Sequence, residues 1–404
     1  MRILYLAQRV PYPPDRGDKI TTYREIAHLA RDHEVSVACL ADGPEDLKNV
    51  AGLTPLVASV DVVPLRRTPA RLRALAALAS GMPLTVAYFN ERDLHTRVAA
   101  RMASHRFDAV IAFSSGMAQF VEPYAGVPRI MQFADLDSLK WRQYADNFHP
   151  PRRWVYATEA RRLLRYERHI ATTFSHSLLS TPRELEDFEQ LIPGAAASCV
   201  SNGVDLDYFR PLEAAKTKGS LVFTGVMDYF PNVQGVIWFC HEVLPLVRAR
   251  VPDATLTICG ARPNAAVQAL ERLPGVKITG RVADVRPHLA CAEVGVVPLH
   301  IARGIQNKLL EAMALGLPTV TTTPAFEGVG ALPETHLLVA DRPVDFAAAI
   351  VRLLRDEQLR ARLGKAARTY TETNYRWETQ LARLDEVLAA VTAKASRPRQ
   401  AVQV

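Results

Sequence analysis

Asn307, Lys308 and Glu311 are the residues with the clearest chemical use in this chain of 404 residues. They stand in the stretch Arg303-Gly-Ile-Gln-Asn-Lys-Leu-Leu-Glu311-Ala-Met-Ala-Leu-Gly316-Leu-Pro318, just after the apolar run Val294-Gly-Val-Val-Pro-Leu299. The pattern predicts a strand, a loop and a helix over about 305–315, stopped by Gly316 and Pro318. Lys308 and Glu311 are three apart and share a helix face. As a bare surface pair they would contribute only about 0.2–0.5 kcal/mol. Their place points further. Open α/β sheets take ligands beyond the carboxyl ends of their strands. Free N–H groups and the helix dipole favour an anion there, a Lys adds a point charge for phosphate, and a Glu accepts two hydroxyls of a ribose. The ligand these residues suit is a nucleotide diphosphate.

The segment resembles the donor-binding motif of the family-four glycosyltransferases, retaining enzymes of the GT-B fold. A second stretch, Ser201-Asn202-Gly203-Val204-Asp205-Leu-Asp-Tyr-Phe209-Arg-Pro211, resembles the one that opens their C-terminal domain. The resemblance runs over most of the chain and is strongest from about 200 to 340. The N-terminal half, through Pro11-Tyr-Pro-Pro-Asp-Arg-Gly17-Asp-Lys-Ile20 and Asp135-Leu-Asp-Ser-Leu-Lys-Trp141-Arg-Gln-Tyr144, is similar to a narrower group. These are the sugar transferases of exosortase-type exopolysaccharide loci. The resemblance implies two Rossmann-like, doubly wound α/β domains facing a cleft. It also implies transfer of a sugar from a nucleotide-diphosphate donor to a hydroxyl acceptor, with retention and with neither metal nor cofactor. It assigns ribose hydroxyls to Glu311, diphosphate charge to Lys308, and close backbone approach to donor or acceptor to Gly17.

Two departures from the family pattern matter. The family signature is Glu-x7-Glu, and its first Glu falls where this chain has Arg303. Arg cannot accept a hydrogen bond, so a sugar-hydroxyl role cannot be copied, whereas bidentate binding of diphosphate can replace it. Many relatives also carry a Gly-Arg and a later Lys after the first strand of the second domain. Here Gly225-Val226-Met227-Asp228 and Pro231-Asn232 stand instead. Arg303, Lys308 and Arg281 are the candidates for the missing charge, with a surface turn as the plain alternative for Arg281.

On the acceptor side, Asp135 or Asp137 is the candidate for meeting a hydroxyl, Asp135 being preferred, with a helix N-cap as the plain alternative. Asp135-x-Asp137 also has the form of a metal-diphosphate motif from the other large glycosyltransferase fold, but Asp205-x-Asp207 shows how cheaply it recurs. No metal-binding His pair appears among the 11 histidines. No G-x-G-x-x-G follows the first strand, which counts against a dinucleotide dehydrogenase.

The positioning elements follow from alternation of strand and helix throughout, with strands at about 3–7, 35–40, 60–63, 109–113, 130–133, 177–181, 199–200, 221–224, 255–259, 276–278, 294–297, 319–321 and 337–339 and helices at about 20–31, 69–79, 94–104, 153–172, 182–191, 233–251, 265–272, 282–290, 305–315 and 345–354; this argues for parallel sheets covered on both faces. Domains are expected at 1–200 and 201–375, with a helix at 376–392 returning to the first domain and a disordered tail at 393–404. Hydrophobic residues are 49% and charged residues 23%, as in a folded globular protein. The net charge of +7 suits anionic partners, and no nucleic-acid signature accompanies it. Arginines concentrate at 66–106 and at 152–168, and Arg71–Ala79 reads as a basic amphipathic helix. Such a stretch docks on anionic membrane or is a solvated face. Five isolated cysteines fit reduced thiols. Without a leader or an apolar span, the expected place is the cytoplasm, peripheral to the inner membrane face if the acceptor is lipid-linked. Two other readings stay open: a GT-B-fold sugar-nucleotide epimerase, and a non-catalytic nucleotide-sugar-binding protein.

Overall fold

A computed structural model describes residues 1–396 of the chain. They form two compact units, one of Met1–Val200 with the chain from Leu381 onward, the other of Ser201–Gln380.

The first unit holds seven strands: β1 (Arg2–Ala7), β2 (Glu34–Ala41), β3 (Ser59–Pro64), β4 (Ala109–Phe113), β5 (Arg129–Ala134), β6 (His176–Leu179) and β7 (Ala197–Cys199). Their order is β3-β2-β1-β4-β5-β6-β7, and every pairing is parallel. Central β4 is buried along its whole length, as a strand covered by helices on both faces must be. Edge strand β3 is less buried and carries Asp61, whose carboxylate accepts from Arg101 at 2.6 Å. An inward-facing charge of this kind blunts an open edge.

The second unit holds β8 (Ser220–Thr224), β9 (Thr255–Cys259), β10 (Val276–Gly280), β11 (Val294–Val297), β12 (Thr319–Thr321) and β13 (Leu338–Val339). Their order is β10-β9-β8-β11-β12-β13, again all parallel. Strand order reverses between β8 and β11. That is the switch point where the loops leave in opposite directions and open a ligand crevice. Both sheets are thus doubly wound and Rossmann-like.

All the strands read from the alternation are present, with ends moved by one or two residues. The helices need more correction. A single helix expected over 233–251 is broken into Phe230–Trp238, a wide turn at Phe239–Val243, and Leu244–Arg248. Pro245 has no N–H to give the carbonyl four residues back, and the widened turn accommodates the loss. The helix expected over 282–290 is confined to Arg286–Cys291, because the Asp284 carboxylate accepts the Arg286 N–H at 2.9 Å and sets its start. Glu357–Asn374 is a helix that the sequence reading leaves unassigned. Its stripe of Leu359, Leu363, Ala367 and Thr371 is buried. The last helix runs Trp377–Ser396, so 393–396 are helical rather than disordered. The rest of the expected tail, 397–404, lies outside the described residues.

Candidate functional site

The helix Asn307–Ala314 follows β11 and is the element that positions the chemistry. It buries Leu309, Leu310, Ala312, Met313 and Ala314, which anchors one face in the core. Its end is closed by a Schellman motif: Leu317 N–H donates to the Ala312 carbonyl at 2.9 Å and Gly316 N–H to Met313 at 3.0 Å. Gly316 takes φ +69°, which is why a glycine stands there. The helix Glu357–Asn374 braces this end. A side chain at Gly364 would meet the Gly316 carbonyl at 2.2 Å, and the Arg368 guanidinium donates to the Ala314 carbonyl at 2.6 Å. A cation on the last carbonyls also suits the helix dipole. At the other end, Gln306 makes no side-chain cap; its carbonyl takes the Leu309 N–H at 2.8 Å, and the Asn307 and Lys308 N–H groups precede that bond at the helix start.

On this helix Lys308 and Glu311 point the same way. The Lys308 ammonium donates to Asn232 Oδ1 at 2.9 Å and lies 5.4 Å from the centre of the Phe223 ring. It therefore reaches from the β11 side of the switch point to the end of β8. Burial lowers its pKa to about 8, against the opposing pull of Glu311. Burial raises the Glu311 carboxyl to about 7, with Lys308 holding it down. The two do not form a contact ion pair; among the described residues the Glu311 carboxylate makes no hydrogen bond. Asn307 is held by Asn202, whose amide donates to Asn307 Oδ1 at 3.1 Å. This contact links the two sequence motifs within one unit.

Gly225 directly follows β8, and its N–H donates to the Cys259 carbonyl at 3.1 Å. A Cβ on Gly260, at the end of β9, would sit 1.6 Å from the Gly225 carbonyl oxygen. The backbone ledge beside Lys308 is therefore kept free of side chains. Arg303 stands in the loop before the helix, its carbonyl accepting from Gln306 Nε2 at 3.0 Å. Arg281 directly follows β10, the edge strand, three strands from β11.

The remaining two expected residues belong to the first unit. Gly17 is the first residue of the helix Gly17–Leu29 and has no positive φ. Its neighbour Asp18 is ion-paired with Arg9 at 2.6 Å, and Arg9 also binds Asp42 at 2.7 Å. Asp135 leaves the end of β5 through Ala134, a non-glycine residue at φ +60°. It accepts from Ser180 Oγ at 2.8 Å, and burial together with the charge of Glu184 raises it to about 7. It does not cap the next helix, Asp137–Asn147, whose N-cap is Leu136. Sequence reasoning passes over Asn232, Asn202 and the Gly225–Gly260 ledge as site residues. The signal available for Asn232 is its place after β8, where the family cation is missing.

Residues 218–356 match the family model of the group 1 glycosyl transferases. The matched stretch lies within the second unit. It encloses the whole of the Lys308–Glu311 cluster. Over 225 residues the chain is 29% identical to a GDP-mannose-dependent alpha-(1-6)-phosphatidylinositol monomannoside mannosyltransferase of Mycobacterium tuberculosis, covering 48% of this chain and 56% of that one. The chain spans about half the length of the curated relatives it matches. Among solved structures, sucrose-phosphate synthase from Thermosynechococcus elongatus superposes with TM-score 0.70 at 15% identity, over 98% of this chain and 100% of that one. Anabaena HepE in complex with UDP and glucose gives 0.68 at 15% identity, over 96% and 100%. The architecture is accordingly the GT-B one.

Proposed function

We propose that the protein transfers a sugar from a nucleotide-diphosphate sugar to a hydroxyl of a lipid-linked acceptor, an exopolysaccharide precursor being the kind its N-terminal half resembles. The observation that carries this reading is the unpaired Glu311 carboxylate beside the Lys308 ammonium, at an uncapped helix N-terminus on the switch point of a group 1 domain. Glu311 takes ribose hydroxyls. Lys308, Arg303 and the helix amides stabilise the charge that develops on the departing diphosphate, with no metal required and with retention at the transferred carbon. Arg281 stands where the far end of the nucleotide would reach. Asp135 and the Gly17 loop serve the acceptor, Asp135 being half ionised near neutrality and so suited to share a hydroxyl proton.

The acceptor class rests on a relative whose name specifies a phosphatidylinositol glycolipid and on one face of the first unit. The helix Arg67–Ser80 buries only Ala70 and Ala77 and exposes Leu72 and Leu75 at 62% each. Arg162 donates to the carbonyls of Ala77 and Leu78, joining to it the helix Arg152–Thr173, which exposes Trp154 at 67%. Exposed Arg66, Arg67, Arg71, Arg152 and Arg153 flank this apolar surface. Apolar residues with basic flanks suit the interface of an anionic membrane. No helix among the described residues is long and apolar enough to cross one.

The test is incubation of the full chain with labelled GDP-mannose and UDP-glucose, with and without a lipid extract, in the presence of EDTA. Label in the lipid phase is the expected result. Donor turnover without acceptor, binding without turnover, or loss of transfer reversed by manganese each defeats the corresponding part of the reading.

A further inference from the structure

We propose that Asn232 is a positioning residue that holds the Lys308 ammonium at the end of β8, facing the diphosphate of a bound nucleotide. The inference rests on the reading of Lys308 as the diphosphate cation, and it deepens that reading by naming what aims the charge. Asn232 is 3% exposed, in the first turn of the helix Phe230–Trp238. Its Nδ2 donates to the Val226 carbonyl at 2.9 Å, so its Oδ1 must face the other way, where it accepts from Lys308 at 2.9 Å. Each end of the amide has one use, and its orientation is set by the backbone of the loop after β8.

Three further features converge on the same ammonium. A Cβ on Gly225 would meet Asn232 Nδ2 at 2.7 Å and Lys308 Cε at 3.4 Å, so the pair occupies the space a side chain would need. The Phe223 ring lies 5.4 Å from Nζ, a second uncharged partner. Glu311, one turn along the same helix, is the charge that acts on Lys308, while β8 and the helix Phe230–Trp238 face it with a ring and an amide. Neither of these titrates. A neutral holder is the chemically apt choice. A carboxylate at position 232 would fix the ammonium equally well, but it would cancel its charge and repel diphosphate. An amide fixes the geometry and leaves the positive charge, with its remaining donors, for the ligand. The arrangement also replaces what the loop after β8 lacks. The cation arrives from the β11 side, and the loop supplies its support.

The experiment uses the full chain and its Asn232→Ala and Asn232→Asp variants. Calorimetry with UDP and GDP measures affinity against pH. Competitive acylation of Lys308 with acetic anhydride, read by mass spectrometry, measures its own titration. The expected wild-type result is binding of one nucleotide, weakening above about pH 8 as the ammonium is lost. Asn232→Ala should weaken binding about tenfold. Asn232→Asp should weaken it more, yet move the acylation midpoint of Lys308 upward, because a carboxylate stabilises the ammonium. A merely structural Asn232 would not produce that opposite pair of changes. Wild-type affinity in both variants, with an unmoved Lys308 midpoint in Asn232→Asp, overturns the proposal. If the wild type binds neither nucleotide, the donor reading fails, and the Lys308 midpoint alone then decides whether Asn232 holds it.

Discussion

Glu311 and Arg303 are the two side chains whose replacement separates the proposed donor site from an ordinary helix start. Glu311 makes no hydrogen bond among the described residues, so its removal strands no partner. Glu311→Ala should fold normally and lose at least about tenfold in nucleotide affinity, since hydrogen bonds to a charged acceptor contribute about 1.5–3 kcal/mol each. Calorimetry on the folded variant checks this, and unchanged affinity would return Glu311 to a plain helix face. Arg303 stands in the loop before this helix, and the proposed site gives it the diphosphate. Arg303→Ala should slow turnover, and Arg303→Lys should restore part of it, because Lys lacks the planar two-pronged contact. Arg303→Glu should be worse than Ala, with a carboxylate beside phosphate. Full activity in Arg303→Glu would show that this chain uses the position as its relatives do.

Helices explain why the basic stretches of the sequence are less free than their composition suggests. Arg73 is paired with Glu91 at 2.7 Å and donates to the carbonyls of Ala87 and Tyr88. Arg101 serves Asp61, and Arg162 serves the end of the helix Arg67–Ser80. In the proposed membrane contact, attraction therefore falls to the arginines at the flanks and to the leucines between them. Leu72→Glu with Leu75→Glu should release the protein from anionic vesicles and leave turnover of a soluble acceptor analogue unchanged. Co-sedimentation decides it. Retention on vesicles by the double variant, or equal binding of the wild type to neutral and anionic vesicles, would remove this face from consideration.

Each unit closes its core over a parallel sheet, and the first does so around carboxyls that are buried without a cation. Glu25 accepts from Tyr5 Oη at 2.5 Å and Gln132 Nε2 at 2.7 Å, and burial raises it to about 7. Glu167 accepts from Ser115 Oγ and the Ser138 N–H, both at 3.2 Å, and burial raises it to about 8. A raised carboxyl pKa means that the folded state binds more protons than the unfolded state between about pH 4.5 and 8. The associated stability is complete below about 4.5 and is lost as pH rises through 7 and 8. Stability should therefore fall by the order of a few kcal/mol from about pH 5 to 8.5, and the melting temperature with it. Glu25→Gln or Glu167→Gln, which copy the neutral acid, should flatten the slope. A melting temperature that rises over this range would contradict the assignment.

Alternation of apolar strands with helical periods was enough to define two parallel α/β sheets, because side-chain period and burial on both faces are local properties of the chain. The motif around Lys308 and Glu311 was equally legible, since helix spacing alone puts those two on one face after a strand. Local pattern could not reveal what meets that face. The Lys308–Asn232 contact joins residues 76 apart and exists only because β8 and β11 are neighbours at the switch point. Asn202 likewise reaches Asn307 across 105 residues. The Gly225–Gly260 ledge follows from strand order, and the brace from Gly364 and Arg368 belongs to a helix whose stripe went unread. Strand order is a long-range outcome of packing, so a candidate residue was readable from its own segment, while its partners, and with them its charge and aim, were decided by the tertiary fold.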